Sequence, residues 1–299
     1  MQKLIIPLLL ILFASCSRHR PASGLDSLRF KLESIADTAS GTVGIAFISG
    51  SDTLTVNNSM RYPMMSVFKL HQSLAAAHAL ESHGESFNKL LHIQAESLSR
   101  DTWSPMLKDH SENEFDISVG DLVHYAISQS DNNASNLIFK HIAGPEATDQ
   151  FVKSIAPDTT FAIRYTEEQM ANNHTLCYEN YSSPFSCASL IKRVFEHNVV
   201  AEENLSTIHD ALRGTTTGSD RLPAPVAALK GASVAHKTGS GYRSETGALM
   251  AFNDIAYITL PNGTDYALAV MIRDFNGSEN EAAQIMARIS EAVLDYLLK

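Results

Sequence analysis

The sequence predicts a mixed α/β (α+β) chain. One antiparallel sheet is drawn from both ends, flanked by terminal helices, and an all-helical lobe is inserted between them. Three observations predict it. Strand-like runs open the chain at residues 42–49 and 53–56. Further runs close it at 247–252, 255–260 and 266–273. The stretch from 66 to about 212 is almost purely helical and loop-rich, with no linker and no internal repeat. Pairing the terminal strands is the simplest way to bury both sets, and a cleft between the lobes is the natural place for a site.

The N-terminus reads as a targeting leader over residues 1–20. Lys3 supplies a positive start, and residues 4–13 are apolar apart from Pro7. That run is too short for a membrane helix, which needs ~20 residues, but it suits a secretory leader. Two processing readings stay open. Residues 13–16 resemble a lipoprotein signal in which Cys16 is lipidated, and residues 15–17 form an ordinary small-x-small cleavage site. A single catalytic domain in two lobes then spans 25–299.

Within it, Leu25, Leu28, Leu32 and Ile35 recur at helical spacing. Ser49-Gly50-Ser51-Asp52 turns the first two strands into a hairpin, and Pro261-Asn262-Gly263 turns the last two. Ile285, Ile289, Val293 and Leu297 form one face of a closing helix over 279–298.

The composition limits function. Of 299 residues, 44% are apolar and 19% charged, and the formal net charge is −10. An acidic chain of this kind argues against a nucleic-acid partner. No later segment is long and apolar enough to span a membrane. The 12 histidines include no His-Glu-x-x-His, and no Cys-x-x-Cys occurs. Neither a metal site nor a cofactor is expected. Cys177 and Cys187 leave two states open, a disulfide or two free side chains, and the second is favoured.

Three constellations carry chemistry. The first is Ser66-Val67-Phe68-Lys69, which follows Tyr62-Pro63-Met64-Met65 and opens a strong helix former. Ser66 then sits at a helix N-terminus, which favours developing negative charge. Lys69 lies three residues on, close enough to exchange a proton with the hydroxyl. Ser-x-x-Lys also occurs at Ser86–Lys89 and Ser189–Lys192, without that context. The second constellation is Ser130-Asp131-Asn132, a turn between helical patterns at 118–129 and 133–142. The third is Lys237-Thr238-Gly239-Ser240, a glycine-bearing strand edge suited to an extended ligand. Each alone is as readily a cap, a turn or a strand end. Together, in this order, they are specific.

With these motifs the chain resembles the serine penicillin-recognising enzymes, and in particular class A β-lactamases. Residues 62–69 and 129–136 look especially like the cephalosporin-hydrolysing enzymes of Bacteroides and relatives. The resemblance implies a β-lactamase/transpeptidase-like fold, a periplasmic location, a β-lactam as small-molecule partner and a monomer. It implies Ser66 as nucleophile and Lys69 as proton carrier. Ser130 and Lys237 would protonate the leaving nitrogen, with oxyanion donors at the Ser66 and Ser240 amides. Asn132, Thr238 and Ser240 would bind substrate.

A class A hydrolase also needs a carboxylate that activates water. It falls in Arg164-Tyr165-Thr166-Glu167-Glu168-Gln169-Met170-Ala171-Asn172. Aligning Met170 with the family's leucine selects Glu167, which is preferred. Aligning Asn172 selects Glu168. The preferred register leaves Ala171 where relatives carry a water-holding asparagine, so Asn172, Asn173 or His174 is expected to substitute. Trp103 resembles the aromatic at the cleft mouth. Arg221 resembles an arginine placed near the substrate carboxylate, a task suited to a guanidinium. The alternatives to hydrolysis are a D,D-peptidase, which needs no deacylating glutamate, and a β-lactam sensor that stays acylated.

Overall fold

The computed structural model describes residues 24–299. The expected leader at 1–20 and Cys16 lie outside the described residues. In chain order, helix α1 (Gly24–Asp37) leads into β1 (Thr42–Ser49) and β2 (Asp52–Val56). The short strand β3 (Tyr62–Pro63) and a 3₁₀ turn (Met65–Val67) run into α2 (Phe68–Glu81). Next come β4 (Leu90–Gln94), α3 (Met106–Asp109), β5 (Glu114–Ser118), α4 (Val119–Ser128), α5 (Asn132–His141) and α6 (Pro145–Ile155). A loop follows that carries β6 (Phe161–Ala162), α7 (Glu167–Asn172), a 3₁₀ turn (His174–Glu179) and β7 (Tyr181–Ser182). Helices α8 (Pro184–Glu196) and α9 (Glu202–Arg213) return to β8 (Ser233–Ser240), β9 (Leu249–Thr259), β10 (Asp265–Phe275) and α10 (Glu279–Leu297).

The main sheet has the order β2-β1-β10-β9-β8, with every neighbouring pair antiparallel. Both ends of the chain therefore build it, as the sequence predicts. Its two faces are buried, so its central strands are apolar on both sides rather than alternating. On one face Leu28, Leu32, Met286, Ile289 and Val293 of α1 and α10 form a core with Phe47, Val270 and Ile272. The other face packs on α8 and merges into the core of the helical lobe. Helix α2 runs through the middle of that lobe, against α4, α5, α6 and α9. Residues Phe68–Ala77 are buried all round it.

Two details depart from the sequence reading. The runs at 247–252 and 255–260 are one continuous strand, β9. Asn253 and Asp254, which read as a break, are fully buried inside it. Partners hold them there: Asn253 Nδ2 donates to the Pro63 and Met64 carbonyls, although its Oδ1 has no partner, and Asp254 accepts from His236. The stretch between the terminal strands is also not all-helical, since β4 pairs with β5, and β7 pairs with β3 on one side and β6 on the other. Strand β4 is mostly exposed and two-stranded, so its apolar pattern was too weak to read. Cys177 and Cys187 are both buried and free. No helix among the described residues is long and apolar enough to cross a membrane.

His71 sits on the core side of α2, fully buried, edge-on to Phe161 with ring centroids 5.1 Å apart. Neither ring nitrogen makes a well-formed hydrogen bond. Burial lowers its pKa from 6.5 to about 4, outweighing the Val67 carbonyl and Asp149, which favour the charged ring. The unfolded chain therefore takes up this proton first as pH falls. Stability is lost between pH 6.5 and 4, by up to about 3 kcal/mol. Melting followed across that window should show His71→Leu losing less stability than the parent. Parallel curves would mean that His71 is not a source of acid sensitivity.

Candidate active site

The site forms where the start of α2, the α4–α5 turn, the α7 loop and the edge strand β8 meet. At its centre is Ser66, in the 3₁₀ turn ahead of α2. Met65 before it has φ +46°, and Ser130 across the cleft has φ +58°. Such left-handed backbone costs of order 1–3 kcal/mol per residue and persists only where surroundings enforce it. Those surroundings are visible. The Met64 amide donates to the Asn180 carbonyl (2.8 Å), and Asn253 holds the Pro63 and Met64 carbonyls (2.8 and 3.1 Å). β8 presses on the same turn through Gly239, where a Cβ would lie 2.4 Å from the Met64 carbonyl oxygen. Only glycine permits that approach.

Ser66 Oγ donates to Glu167 Oε1 at 3.1 Å. Lys69 Nζ lies 2.9 Å from the same oxygen. Lys69 is fully buried and also donates to the Ser130 carbonyl (2.8 Å) and Asn132 Oδ1 (2.7 Å). Serine and lysine thus meet on one carboxyl oxygen. Lys237, equally buried, donates to Ser130 Oγ (3.0 Å) and the Thr238 carbonyl (2.9 Å). Burial, and then the nearby Lys69, hold its pKa well below the usual lysine range, against the pull of Glu167 and Asp254. As an ammonium, a lysine so placed lends positive charge to the Ser130 hydroxyl; as a neutral amine it can accept its proton.

The α4–α5 turn is organised by Asp131, fully buried, whose carboxyl caps α5 at Ala134 N (2.9 Å). The same group accepts from Ser104 Oγ (2.8 Å) and Met106 N (2.8 Å). Those contacts seat the 103–106 loop at the mouth of the site. Trp103 is 58% exposed there; its carbonyl accepts from Asn132 N and its Nε1 donates to the Gln129 carbonyl. Asn132 has its Nδ2 on Thr102 Oγ1 (2.9 Å), so its amide is oriented by two partners.

Helix α7 turns the adjacent glutamates to opposite environments. Thr166 and Gln169 close a reciprocal cap around its first turn. That sets Glu167 and Met170 on one inward face, three residues apart and both buried. Glu168 is exposed, with its amide on Asn136 Oδ1. Downstream, Asn173 caps the following turn through Thr175, and His174 stacks on Tyr242 with centroids 3.7 Å apart. Asn172, Asn173 and His174 are all exposed, so none takes the place expected of it beside Glu167.

On the far side, Arg221 is 7% exposed. Its Nη2 donates to Ser240 Oγ (2.7 Å), its Nη1 to the Asn253 carbonyl (2.7 Å), and its plane lies 3.6 Å from the Phe252 ring centroid. Thr238 Oγ1 meets Thr217 Oγ1 at 2.6 Å. The other Ser-x-x-Lys copies do not converge on anything: Lys89 pairs with Glu85, and Lys192 with Glu196, along their own segments.

Sequence reasoning missed Asn180. This fully buried side chain accepts from Arg164 N (2.8 Å) and Tyr165 N (2.9 Å) and donates to the Tyr165 carbonyl (2.8 Å). Its own carbonyl holds Met64 N, so one residue ties the glutamate loop to the serine turn. No local pattern marks it, because its partners lie about fifteen residues upstream.

The family model described as "Beta-lactamase enzyme family" matches residues 27–297. A β-lactamase of Phocaeicola vulgatus is 44% identical over 269 residues, covering 90% of this chain and 84% of that protein. The TLA-3 extended-spectrum β-lactamase superposes with a TM-score of 0.87 at 30% identity, covering 92% of this chain and 100% of the other. A class A β-lactamase representative from Bacteroides cellulosilyticus superposes with a TM-score of 0.86 at 27% identity, covering 92% and 98%.

Asn180→Ala should strand the Arg164 and Tyr165 amides. At roughly 1–3 kcal/mol for each buried group left unpaired, the 164–180 loop should open before the rest of the chain. Hydrogen exchange should then rise first at 164–170. Unchanged protection there would remove Asn180 as the clasp.

Proposed function

The chain belongs to the β-lactamase enzyme family, and we propose that it opens the β-lactam ring through an acyl-enzyme on Ser66 that Glu167 resolves. It is a class A serine β-lactamase: it hydrolyses β-lactams, and so confers resistance to them. The observation that carries the assignment of roles is the shared contact of Ser66 Oγ and Lys69 Nζ on Glu167 Oε1.

In this reading Ser66 Oγ attacks the lactam carbonyl as its proton passes to Glu167 or Lys69; the two routes start from the same oxygen. The Ser66 and Ser240 amides receive the oxyanion. Ser130 delivers a proton to the departing nitrogen, with Lys237 3.0 Å behind it. Asn132 binds the substrate side-chain amide at the Trp103 rim. Thr238, Ser240 and Arg221 bind the substrate carboxylate. The proton taken from Ser66 is handed on to replace the one Ser130 gave away, which leaves Glu167 a carboxylate again. Glu167 then draws a proton from water as it attacks the ester and passes that proton to the departing Ser66 Oγ.

Finer points of the reading rest on the sequence. Residues 62–69 and 129–136 support a preference for cephalosporins alongside penicillins. The apolar stretch at 4–13 supports export to the periplasm, with Cys16 as a lipid anchor or the leader cleaved away. The family match over 27–297 supports one catalytic domain at 25–299, working as a monomer.

Ser66→Ala should abolish covalent labelling by a penicillin while the fold survives. Labelling that persists, or that moves to Ser86 or Ser189, would refute the nucleophile. Glu167→Gln should still acylate but accumulate the acyl-enzyme, visible by intact mass, because a general base of this kind contributes roughly 10²–10⁴-fold. Glu168→Gln should turn over like the parent. If neither substitution traps the intermediate, Glu167 is not the deacylating base.

A further inference from the structure

Immediately before Lys237 on β8 stands His236, 4% exposed. Its Nδ1 lies 3.0 and 3.2 Å from the two carboxyl oxygens of Asp254 on β9. Carboxyl oxygens here accept, so Nδ1 carries the hydrogen. Asp254 is fully buried and also accepts from Leu222 N (3.4 Å). The Thr215 hydroxyl donates to the His236 carbonyl (2.6 Å). The roles proposed above for the site do not use this pair.

Its place in the sheet gives it work. Side chains of alternate residues share a face, so His236, Thr238 and Ser240 line one side of β8. Asp254 stands directly opposite Thr238 in the β8–β9 register, and so on that same side. The 215–222 segment is laid across this face. Thr215 holds His236, Thr217 meets Thr238, and Arg221 reaches Ser240 Oγ and the Asn253 carbonyl. At Gly218 a Cβ would lie 2.5 Å from Thr238 Cγ2, so the segment is in tight contact. Leu222, the residue after Arg221, is fastened to Asp254 itself. β8 is an edge strand, with a sheet partner on one side only. Pairing with β9 sets the register of β8, and this packing sets the segment upon it.

We propose that the buried His236–Asp254 pair is a positioning element for substrate capture. It seats the 215–222 segment on β8, holds Arg221, Thr238 and Ser240 in binding register, and supplies negative charge behind Lys237. The pair touches neither substrate nor reacting atoms. The inference rests on the Ser66 acyl-enzyme reading, and it assigns the pair to acylation alone, since Glu167 is held by α7 and Lys69 rather than by the 215–222 segment. The charged groups that act on Lys237 are Lys69 of α2 and Arg221 of the segment, opposed by Glu167 of α7 and Asp254 of β9. Removing Asp254 leaves one carboxyl group against two cations.

The test is stopped-flow acylation and deacylation with a chromogenic cephalosporin from pH 5 to 10, with melting temperatures recorded alongside. Asp254→Asn and His236→Leu should lower the acylation rate relative to KM roughly tenfold, with deacylation within about twofold. In Asp254→Asn the alkaline limb should move to lower pH by roughly half to one unit, as expected for one lost charge several ångströms away. His236→Asn keeps a donor at the Nδ1 position and should retain most of the acylation rate. Should Asp254→Asn not fold, the contrast between His236→Leu and His236→Asn decides. A lower melting temperature with unchanged acylation and an unmoved alkaline limb would reduce the pair to a structural role and overturn the inference. A parent protein that forms no acyl-enzyme on Ser66 would instead overturn the reading beneath it, and the inference with it.

Discussion

The rest of the site depends on one oxygen, Oε1 of Glu167, which meets both the Ser66 hydroxyl and the Lys69 ammonium. A carboxyl group and an ammonium so far from water are costly to bury, and worthwhile only if every remaining donor and acceptor is satisfied. Lys69 meets that condition with three oxygen partners, two from the α4–α5 turn and one from α7. The same contacts hold the lobe together. The Ser130 carbonyl and Asn132 cannot move without unpairing a buried cation. The α4–α5 turn, the start of α2 and the α7 loop are therefore placed as a unit, and catalytic geometry and local stability share one network.

A second constraint is the distance between the sheet and the helical lobe. β8 is close enough for the Gly239 backbone to touch the Met64 carbonyl. That closeness lets the edge strand present its amides and Lys237 to a ligand held against Ser66. The serine turn it presses on holds Met65 in left-handed backbone. Such strain is stable because Asn180 and Asn253 brace the serine turn from two sides. Both are polar residues inside otherwise apolar surroundings; Asn180 uses both ends of its amide, while Asn253 donates through Nδ2 and leaves Oδ1 without a partner. A chain optimised for stability alone would not carry them there.

Charge is divided along the cleft in a way that suits two-step acyl transfer. Lys69 and Glu167 face each other at the nucleophile. Lys237 and Arg221 line the strand edge where a carboxylate would sit, with Asp254 buried behind them. Two lysines flank Ser130, one at its carbonyl and one at its hydroxyl. Burial lowers the proton affinity of Lys237 and makes a proton exchange with Ser130 less uphill. The arrangement needs no group beyond the chain's own side chains to move a proton from the serine to the departing nitrogen.

The sequence by itself determined what local chemistry can encode. Strand runs at both ends and helices between them follow from periodicity. Ser66, Lys69, Ser130 and Lys237 stood out because three short motifs occur in one order. Glu167 is preferred to Glu168 only through the family register set by Met170; that it is the buried one of the two comes from helix α7. Other features were settled only by tertiary structure. Asn253 and Asp254 read as a strand break, because burial of polar residues makes sense only once the Pro63, Met64 and His236 partners are known. Asn180 and His236 carry no signature, because their partners are distant in sequence. The expectation for residues 172–174 failed because capping and stacking claimed two of those side chains and the chain turns all three outward. Motifs name the groups that react. Which buried groups hold them in place depends on contacts between segments far apart in the chain, and no local pattern records those.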